Sequence, residues 1–322
     1  MTLGEPGKTA ARLSEPHEPE LDPPFDVLDP SALASPLVFS SPHSGSIYPR
    51  RFLEWAKLDA TALRRSEDAF VDELFGGVTS LGIPFVRARF PRAYLDVNRE
   101  PYELDPRMFE GRLPVFANTR SVRVAAGLGT IARVVGEAQE IYAARLPVDE
   151  AMHRIDKLYK PYHRSLRALL ERAEKTFGIA VLVDCHSMPS SANAVLGTLA
   201  DPLRRAPAPR EKSVKADFVV GDRYGTSCAG FLVDAVEYEL RRLGYAVMRN
   251  NPYAGGFITE HYGHPANHYH ALQIEVNRAL YMDEKTLSKG ERFTAVTADL
   301  TKVAAVLADA VLPRRDERAA AE

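Results

Sequence analysis

Short apolar runs alternate along this chain with longer stretches of helical periodicity. The runs 36–41, 84–90, 180–184 and 271–276 have the length and the β-branched content of buried strands. Between them, apolar residues recur at three- and four-residue steps, most clearly over 148–175. Strands separated by helices predict an α/β fold in which the connecting helices cover a central sheet.

The predicted strands and helices fit a single folded domain over residues 31–312. A chain of 322 residues could hold two domains, but α/β enzymes of this length often form one unit. The segment 1–30 is rich in proline and charge, which predicts an extended or partly disordered arm, and we expect the tail 313–322 to fray. Further helices are predicted over 68–78, 230–243 and 283–312.

Charge and hydropathy exclude several classes of partner. The 41 basic and 43 acidic residues leave a formal net charge of −2, so no global field is available to hold nucleic acid or an anionic membrane. No stretch reaches the roughly 18 apolar residues of a membrane span, and no basic segment followed by an apolar run begins the chain. We therefore expect a cytosolic protein that binds a small molecule, as a monomer or a small homo-oligomer.

Two histidines lie where predicted strands end. His43 follows the run 36–41 and precedes Gly45, which lets the backbone turn sharply, and His186 follows the run 180–184. Open α/β sheets keep their functional sites at the carboxyl ends of strands. A catalytic zinc ion takes three ligands from His, Asp or Glu and leaves a fourth position for water. Each histidine alone is more often a structural residue, but their matched placement favours a pair of metal ligands.

A third ligand is predicted from the acidic pair Glu67 and Asp68, which precedes a helical pattern. Either carboxylate could complete a metal site. The structural alternative is an acid that caps the first turn of the helix, where the helix dipole favours negative charge. Local sequence does not choose between the two residues.

Glu275 lies inside an otherwise apolar predicted strand. Side chains alternate along a strand, so Gln273, Glu275 and Asn277 share one face. An unpaired buried charge costs several kcal/mol, so this carboxylate needs a partner or a function. The partner could be Arg278 or Arg99 in a buried salt bridge. The function could be that of a general base beside a metal-activated water.

Two arginines, Arg92 and Arg99, flank a short apolar stretch. A planar guanidinium group binds a carboxylate through two parallel hydrogen bonds, which suits both residues to grip an acidic substrate. The alternative for either residue is a solvated position on the surface. The proline- and arginine-rich segment 194–214 predicts a mobile loop near His186 that could close over the site.

Three other chemistries have weaker support. The four histidines within 261–270 could form a second metal site, but they have no nearby cysteine or acidic ligand pair. Cys185 adjoins His186, but neighbours on a strand point to opposite faces, so the imidazole is poorly placed to activate the thiol. No Gly-x-Ser-x-Gly elbow and no complete Gly-x-x-x-x-Gly-Lys loop occurs, which excludes the common serine hydrolases and nucleotide-binding proteins.

Six short motifs follow one another over residues 36 to about 285, most of the chain. They are Ser41-Pro-His-Ser-Gly45, Glu67-Asp68, Tyr94-Leu-Asp-Val-Asn-Arg99, Asp184-Cys-His-Ser187, Gly255-Gly-Phe-Ile-Thr-Glu-His-Tyr-Gly263 and Gln273-Ile-Glu-Val-Asn-Arg278. Each motif alone is weak. In this order they resemble the N-formylglutamate amidohydrolase family.

The resemblance implies a fold and an activity. The expected fold is that of zinc carboxypeptidases and aspartoacylases, a mixed central sheet flanked by helices. The expected reaction is hydrolysis of N-formyl-L-glutamate to L-glutamate and formate, with one Zn²⁺ per chain.

The resemblance also implies roles for individual residues. It favours Asp68 over Glu67 as the ligand that joins His43 and His186. It matches Glu275 to the glutamate that activates water, and Arg99 to the arginine that closes the Asp-x-Asn-Arg motif, a catalytic role. Substrate contacts are expected from Arg92, Asn98, Gly256, Thr259 and His261.

Two alternative functions remain open. The first is a metallohydrolase of the same fold that acts on a larger N-acyl amino acid or a peptide, because the segments 1–30 and 194–214 depart from the shorter family members and could reshape the pocket. The second is a metal-binding module without turnover. The presence of Glu275, the candidate general base, argues against it.

Overall fold

The computed structural model describes residues 18–136, 138–192 and 215–312, and a seven-stranded sheet forms its centre. The strands are β1 (Phe25–Leu28), β2 (Leu37–Ser41), β3 (Phe85–Ala88), β4 (Phe109–Glu110), β5 (Val134–Val135), β6 (Gln139–Glu140), β7 (Leu146–Pro147), β8 (Ala180–Met188), β9 (Phe218–Gly221), β10 (Val247–Arg249), β11 (Tyr269–Asn277), β12 (Met282–Asp283) and β13 (Ser288–Lys289). The α-helices are α1 (Arg50–Trp55), α2 (Ala60–Arg64), α3 (Val71–Leu74), α4 (Val122–Ala125), α5 (Val148–Arg154), α6 (Lys160–Phe177), α7 (Gly230–Arg242), α8 (Phe257–Tyr262) and α9 (Phe293–Val311).

The order of strands in the central sheet is β1-β3-β2-β8-β11-β9-β10. The strands β3, β2, β8 and β11 run parallel to one another, whereas β1 and β9 join them antiparallel. The outer strand β10 pairs parallel with β9. The predicted mixed sheet is therefore confirmed. Because four neighbouring strands share one direction, their carboxyl ends meet at one edge of the sheet.

Alternation along the strands divides the core into two layers. On β11, Leu272, Ile274 and Val276 pack with α3, α7 and α9 on one face of the sheet. The other face packs against the long helical segment α5–α6 through residues such as Leu166 and Leu170. Burial of each such side chain contributes about 1.5–3 kcal/mol. Helices thus flank the sheet on both faces, as predicted.

The helix predicted over 148–175 is present as one rod interrupted by a π turn. The helix α5 leads into this turn at Ile155–Tyr159, which continues as α6. The rod ends at Gly178, whose φ of 75° favours glycine. Turns of the π type are frequent at functional sites, and this one lies beside two side chains that contact the candidate site.

Two predicted helices are shorter than their periodicity indicates. In 283–312 only α9 is helical, because β12 and β13 pair antiparallel ahead of it. In 68–78 the helix α3 begins only after Phe70, which has the left-handed φ of 65°. Asp68 therefore lies outside the first turn of α3, and the interpretation of this acid as a helix cap is wrong.

Several strands differ from their predicted bounds. The strand predicted at 180–184 continues to Met188, so His186 lies within β8 rather than beyond it. The described part of the segment 1–30 includes β1, which adds an edge strand to the sheet. Residues 1–17, the segment 194–214 and the tail 313–322 lie outside the described residues, and the division into arm, domain and tail stays a prediction. Within the described ranges no helix is long and apolar enough to cross a bilayer.

Candidate metal centre and active site

Three polar side chains meet at the carboxyl edge of the central strands. His43 follows β2, while His186 on β8 and Glu275 on β11 lie opposite each other in the parallel register. These residues are far apart in the sequence. The common direction of the strands brings them together, as the pattern of strand ends predicts.

His43, Asp68 and His186 form a buried group that could hold a metal ion. Their candidate ligand atoms all lie within 4.8 Å of one another. Asp68 Oδ2 is 3.0 Å from His186 Nδ1 and 3.5 Å from His43 Nδ1. One carboxylate oxygen and two imidazole nitrogens are donors that zinc accepts in catalytic sites.

Each imidazole also contacts a further carboxylate through its other ring nitrogen. Nε2 of His43 lies 2.7 Å from Asp96 Oδ1, and Nε2 of His186 lies 2.8 Å from Asp184 Oδ2. An imidazole that donates its Nε2–H to a carboxylate presents Nδ1 as an acceptor, which is the tautomer that a metal ligand needs. His43 Nδ1 is buried and has no hydrogen-bond partner among the described residues. Because such an orphaned atom is costly, this donor set fits a divalent cation.

The backbone and a distant arginine direct Asp68 toward the two histidines. Its N–H donates to the carbonyl of His43 at 3.0 Å, and Arg278 Nη2 donates to its Oδ1 at 3.0 Å. The neighbouring Glu67 has different partners, since its Oε1 accepts the hydroxyl of Tyr48 at 2.7 Å. Asp68 is therefore the member of the acidic pair that joins the metal-binding group.

The segment 96–99 connects the surroundings of the two histidines. Asp96 orients His43, and Asn98 Nδ2 lies 3.1 Å from His186 Nε2 and 3.3 Å from Asp184 Oδ2. Asn98 Oδ1 accepts the backbone N–H of Ile258 at 2.7 Å. Both polar atoms of the Asn98 amide thus have protein partners.

The long helix holds this segment through two side chains beside its π turn. The Tyr159 hydroxyl donates to the carbonyl of Arg99 at 2.7 Å, and His163 Nε2 donates to the carbonyl of Val97 at 2.8 Å. Burial lowers the pKa of His163 to about 3, so its imidazole is neutral at pH 7. Its Nδ1, 3.0 Å from the Tyr262 hydroxyl, is then an acceptor.

Glu275 is a buried carboxylate beside the metal-binding group. It is 7% exposed and accepts a hydrogen bond from Gln273 Nε2 at 2.7 Å. The predicted alternative, a salt bridge to Arg278 or Arg99, is not formed, because each arginine contacts a different carboxylate. Burial raises the pKa of the Glu275 carboxyl to about 7. A group with such a pKa both gains and loses a proton readily near neutral pH.

A cavity of about 680 Å³ opens onto this group, and both predicted arginines line it. Arg92 Nη2 donates to Asp96 Oδ2 at 3.1 Å, while its Nη1 lies 4.0 Å from Asp68 Oδ1. Arg99 donates from Nε to the carbonyl of Leu128 at 3.0 Å and from Nη1 to the carbonyl of Asn98 at 2.9 Å. The volume is within the range of small-molecule sites.

A family model, two curated relatives and a solved structure all point to the same family. A family model described as N-formylglutamate amidohydrolase matches residues 35–282. The chain belongs to this family. The N-formylglutamate deformylases of Pseudomonas putida and Pseudomonas aeruginosa are 28% and 26% identical over 253 residues, which cover 77% and 78% of this chain and 82% and 83% of theirs. The crystal structure of an N-formylglutamate amidohydrolase from Ralstonia eutropha JMP134 is 39% identical, covers 89% of this chain and 98% of its own, and superposes with a TM-score of 0.80.

Within this member of the N-formylglutamate amidohydrolase family, the predicted substrate residues divide into two groups. Arg92, Asn98 and Gly256 line the cavity. Thr259 is buried and donates to the carbonyl of Gly256 at 2.8 Å, whereas His261 is exposed and its Nε2 accepts from an arginine at 2.9 Å. Thr259 and His261 both belong to the short helix α8, no residue of which lines the cavity.

Three further residues of the site were not predicted as functional. Asp184 shares a strand face with His186, so alternation along β8 is the signal that could have revealed it. Asp96 reaches His43 only through the folding of a loop. Tyr253 lines the cavity, and its hydroxyl has no hydrogen-bond partner among the described residues. Burial, followed by the nearby charges of Glu275 and Asp68, raises the pKa of this phenol.

Neither a second metal site nor a cysteine nucleophile is supported by the described residues. Among the described residues, only His43, Asp68 and His186 have the spacing of metal ligands. The histidines of 261–270 therefore form no second metal site there. Cys185 packs in the apolar layer on the face opposite the site, as alternation predicts. Burial raises the pKa of its thiol well above the usual range, which makes it a poor nucleophile.

Asp184→Asn is expected to weaken metal binding by about 10- to 100-fold, because the carboxylate that holds His186 in its metal-binding tautomer is lost. Competition with a chromophoric chelator measures the metal Kd. Ser40→Ala is the matched control, since Ser40 is buried and is paired with Asp184 on the adjacent strand, but bonds to Tyr162 instead. Equal metal affinity of the Asp184→Asn variant and the wild type would remove Asp184 from this role.

Proposed function

We propose that this protein is a zinc-dependent amidohydrolase that converts N-formyl-L-glutamate to L-glutamate and formate. The observation that carries the proposal is a buried His43, Asp68 and His186 group facing one cavity together with the raised-pKa carboxylate of Glu275. The activity named for the relatives from Pseudomonas supports the choice of substrate.

His43 Nδ1, Asp68 Oδ2 and His186 Nδ1 would hold the metal ion. A zinc ion there would supply Lewis-acid polarisation of the amide carbonyl and a lowered pKa for bound water. Asp96 and Asp184 keep both imidazoles in the required tautomer. Arg278 contacts the remaining oxygen of Asp68, which leaves Oδ2 directed toward the histidines.

Glu275 is the proposed proton-transfer group. As a carboxylate it takes a proton from the attacking water, and as a carboxylic acid it returns that proton to the departing amine nitrogen. Its pKa of about 7, raised by burial, suits both steps at neutral pH. The hydrogen bond from Gln273 fixes one of its oxygens and leaves the other available to solvent in the cavity.

Arg92 and Arg99 are proposed to bind the oxygen atoms of the substrate. Arg92 Nη1 makes no hydrogen bond with a described residue and lies 4.0 Å from Asp68 Oδ1, which supports stabilisation of the developing oxyanion. Arg99 has two nitrogens on backbone carbonyls and Nη2 at 3.6 Å from Asp96, which supports a role in anchoring a substrate carboxylate. The Tyr253 hydroxyl, which has no hydrogen-bond partner among the described residues, is a further donor for the substrate.

Formate release from N-formyl-L-glutamate tests the proposal. We expect turnover in the zinc-loaded protein, loss of turnover after dialysis against a chelator, and recovery when Zn²⁺ is added back. N-acetyl-L-glutamate and longer N-acyl amino acids form the comparison panel. A higher kcat/KM for one of these compounds would favour the larger-substrate alternative. Stoichiometric zinc without hydrolysis of any compound would favour a metal-binding module.

A further inference from the structure

One arginine of the cavity lining has no carboxylate partner among the described residues. Five arginines line it. Four of them contact a carboxylate: Arg92 and Arg99 share Asp96, Arg123 lies near Glu103, and Arg278 contacts Asp68. The fifth, Arg65, forms no ion pair and no side-chain hydrogen bond with any described residue.

Arg65 lines both the main cavity and a second cavity of about 250 Å³. The residues common to both linings are Arg65, Gly136, Pro189 and Arg278. The guanidinium group of Arg278 is already occupied, since it donates to Ser187 Oγ, to Asp68 Oδ1 and to two backbone carbonyls. Of the two arginines that line both cavities, Arg65 is therefore the one whose N–H groups have no acceptor among the described residues.

The backbone of Arg65 is fixed relative to the metal-binding group, although its side chain is exposed. Its carbonyl accepts from Arg278 Nη1 at 3.3 Å, and the same guanidinium group donates to Asp68 Oδ1 at 3.0 Å. A long side chain on a fixed backbone position can extend over the cavity without disturbing the metal-binding group. Such an arrangement suits recognition of a group that projects away from the reacting amide.

The charge of the proposed substrate requires a second cation in the cavity. N-formyl-L-glutamate has two carboxylates and no ammonium group. The pair Arg92 and Arg99 contacts Asp96, and the second carboxylate near the pair, Asp68 at 4.0 Å from Arg92, is already contacted by Arg278. The pair therefore retains positive charge for one substrate carboxylate. A second carboxylate without a partner would be costly to bury. Arg65 is the cavity arginine that has neither a carboxylate partner nor a side-chain hydrogen bond among the described residues.

We propose that Arg65 forms the subsite for the side-chain carboxylate of the substrate and sets the preference for an acidic over a neutral side chain. The inference rests on the proposed function. A guanidinium fork donates two parallel hydrogen bonds to a carboxylate, whereas a carboxamide offers one acceptor oxygen and turns an N–H₂ group toward the cation. A glutamine side chain is therefore bound more weakly there than a glutamate side chain.

The ratio of kcat/KM for N-formyl-L-glutamate to that for N-formyl-L-glutamine, measured on the zinc-loaded full chain, tests the subsite. We expect Arg65→Gln to lower this ratio about tenfold, mainly by raising KM for N-formyl-L-glutamate, because the contact is the same in ground and transition states. Arg65→Lys, which keeps the charge but loses the fork, retains part of the preference. Arg164→Gln, at an exposed arginine on α6 outside the cavity, leaves the ratio unchanged.

An unchanged ratio in Arg65→Gln, with metal content and Tm like those of the wild type, overturns the subsite. Loss of the preference in Arg123→Gln but not in Arg65→Gln also overturns it. Calorimetric Kd values for the two compounds, measured in the Glu275→Gln background, separate this failure from failure of the proposed function. Equal Kd values there, with Arg65 intact, reject the subsite, whereas absent turnover in the wild type rejects the function alone.

Discussion

Replacing Glu275 with glutamine is expected to lower kcat/KM for N-formyl-L-glutamate by about 10²- to 10⁴-fold, the range that general acid–base catalysis contributes. The glutamine keeps the shape of the side chain and can still accept the hydrogen bond that Gln273 donates at 2.7 Å. It cannot take a proton from water or return one to the amine. Bound metal is expected to stay, because Glu275 is not among the three candidate ligands. Formate release and metal content per chain measure the two effects.

Glu239→Gln is the matched control for this change. Glu239 is likewise buried, at 2% exposed, but it pairs with Arg242 on α7 and lies in a different part of the protein. Loss of this carboxylate is expected to affect stability and to leave kcat/KM at the wild-type value. Wild-type turnover in Glu275→Gln would show that another group transfers the proton.

His186→Ala is expected to remove the bound metal and to lower kcat/KM by about 10³-fold or more, since the Lewis-acid contribution of several kcal/mol is lost with it. The change deletes one of the three candidate ligands and leaves Asp184, which is fully buried, without the imidazole that it contacts at 2.8 Å. A buried carboxylate that loses its nearest partner is destabilising, so Tm should fall as well. Elemental analysis after dialysis measures the metal, and formate release measures the activity.

His264→Gln is the control that separates loss of a metal ligand from loss of a histidine elsewhere. His264 belongs to the histidine-rich stretch 261–270, and its Nε2 lies 3.2 Å from the carbonyl of His261. Metal content and turnover are expected to match the wild type in this variant. Retention of one zinc ion per chain in His186→Ala, or its loss in His264→Gln, would place the metal elsewhere.

The reaction and the substrate depend on different parts of the site. In the proposed mechanism, water activation needs only the candidate metal-binding group and Glu275, all buried at the carboxyl edge of the sheet. The choice of substrate depends on the cavity wall, where arginines from separate segments of the chain supply positive charge. Variants of the wall should therefore change the ratio of kcat/KM between substrates, whereas variants of the buried group should reduce activity on all of them.

The convergence of three candidate site residues could be predicted because it depends on strands. His43, His186 and Glu275 follow or occupy apolar runs long enough to be recognised, and parallel neighbours bring their carboxyl ends together whatever the details of packing. Alternation is a property of a short window of sequence, so it also predicted that Cys185 faces away from the site. The same rule, applied to Asp184, would have predicted its contact with His186.

The tertiary structure alone decided the contacts between distant segments. By residue type, Glu67 and Asp68 were equal candidates, and only the family resemblance favoured Asp68. The structure shows the contacts that distinguish them, because Tyr48 donates to Glu67 whereas Arg278, distant in the sequence, donates to Asp68. The hydrogen bond between His43 and Asp96 likewise depends on how a loop is folded. A hydrogen bond between distant residues is set by where the packed chain places both groups, and no local window of sequence contains that position.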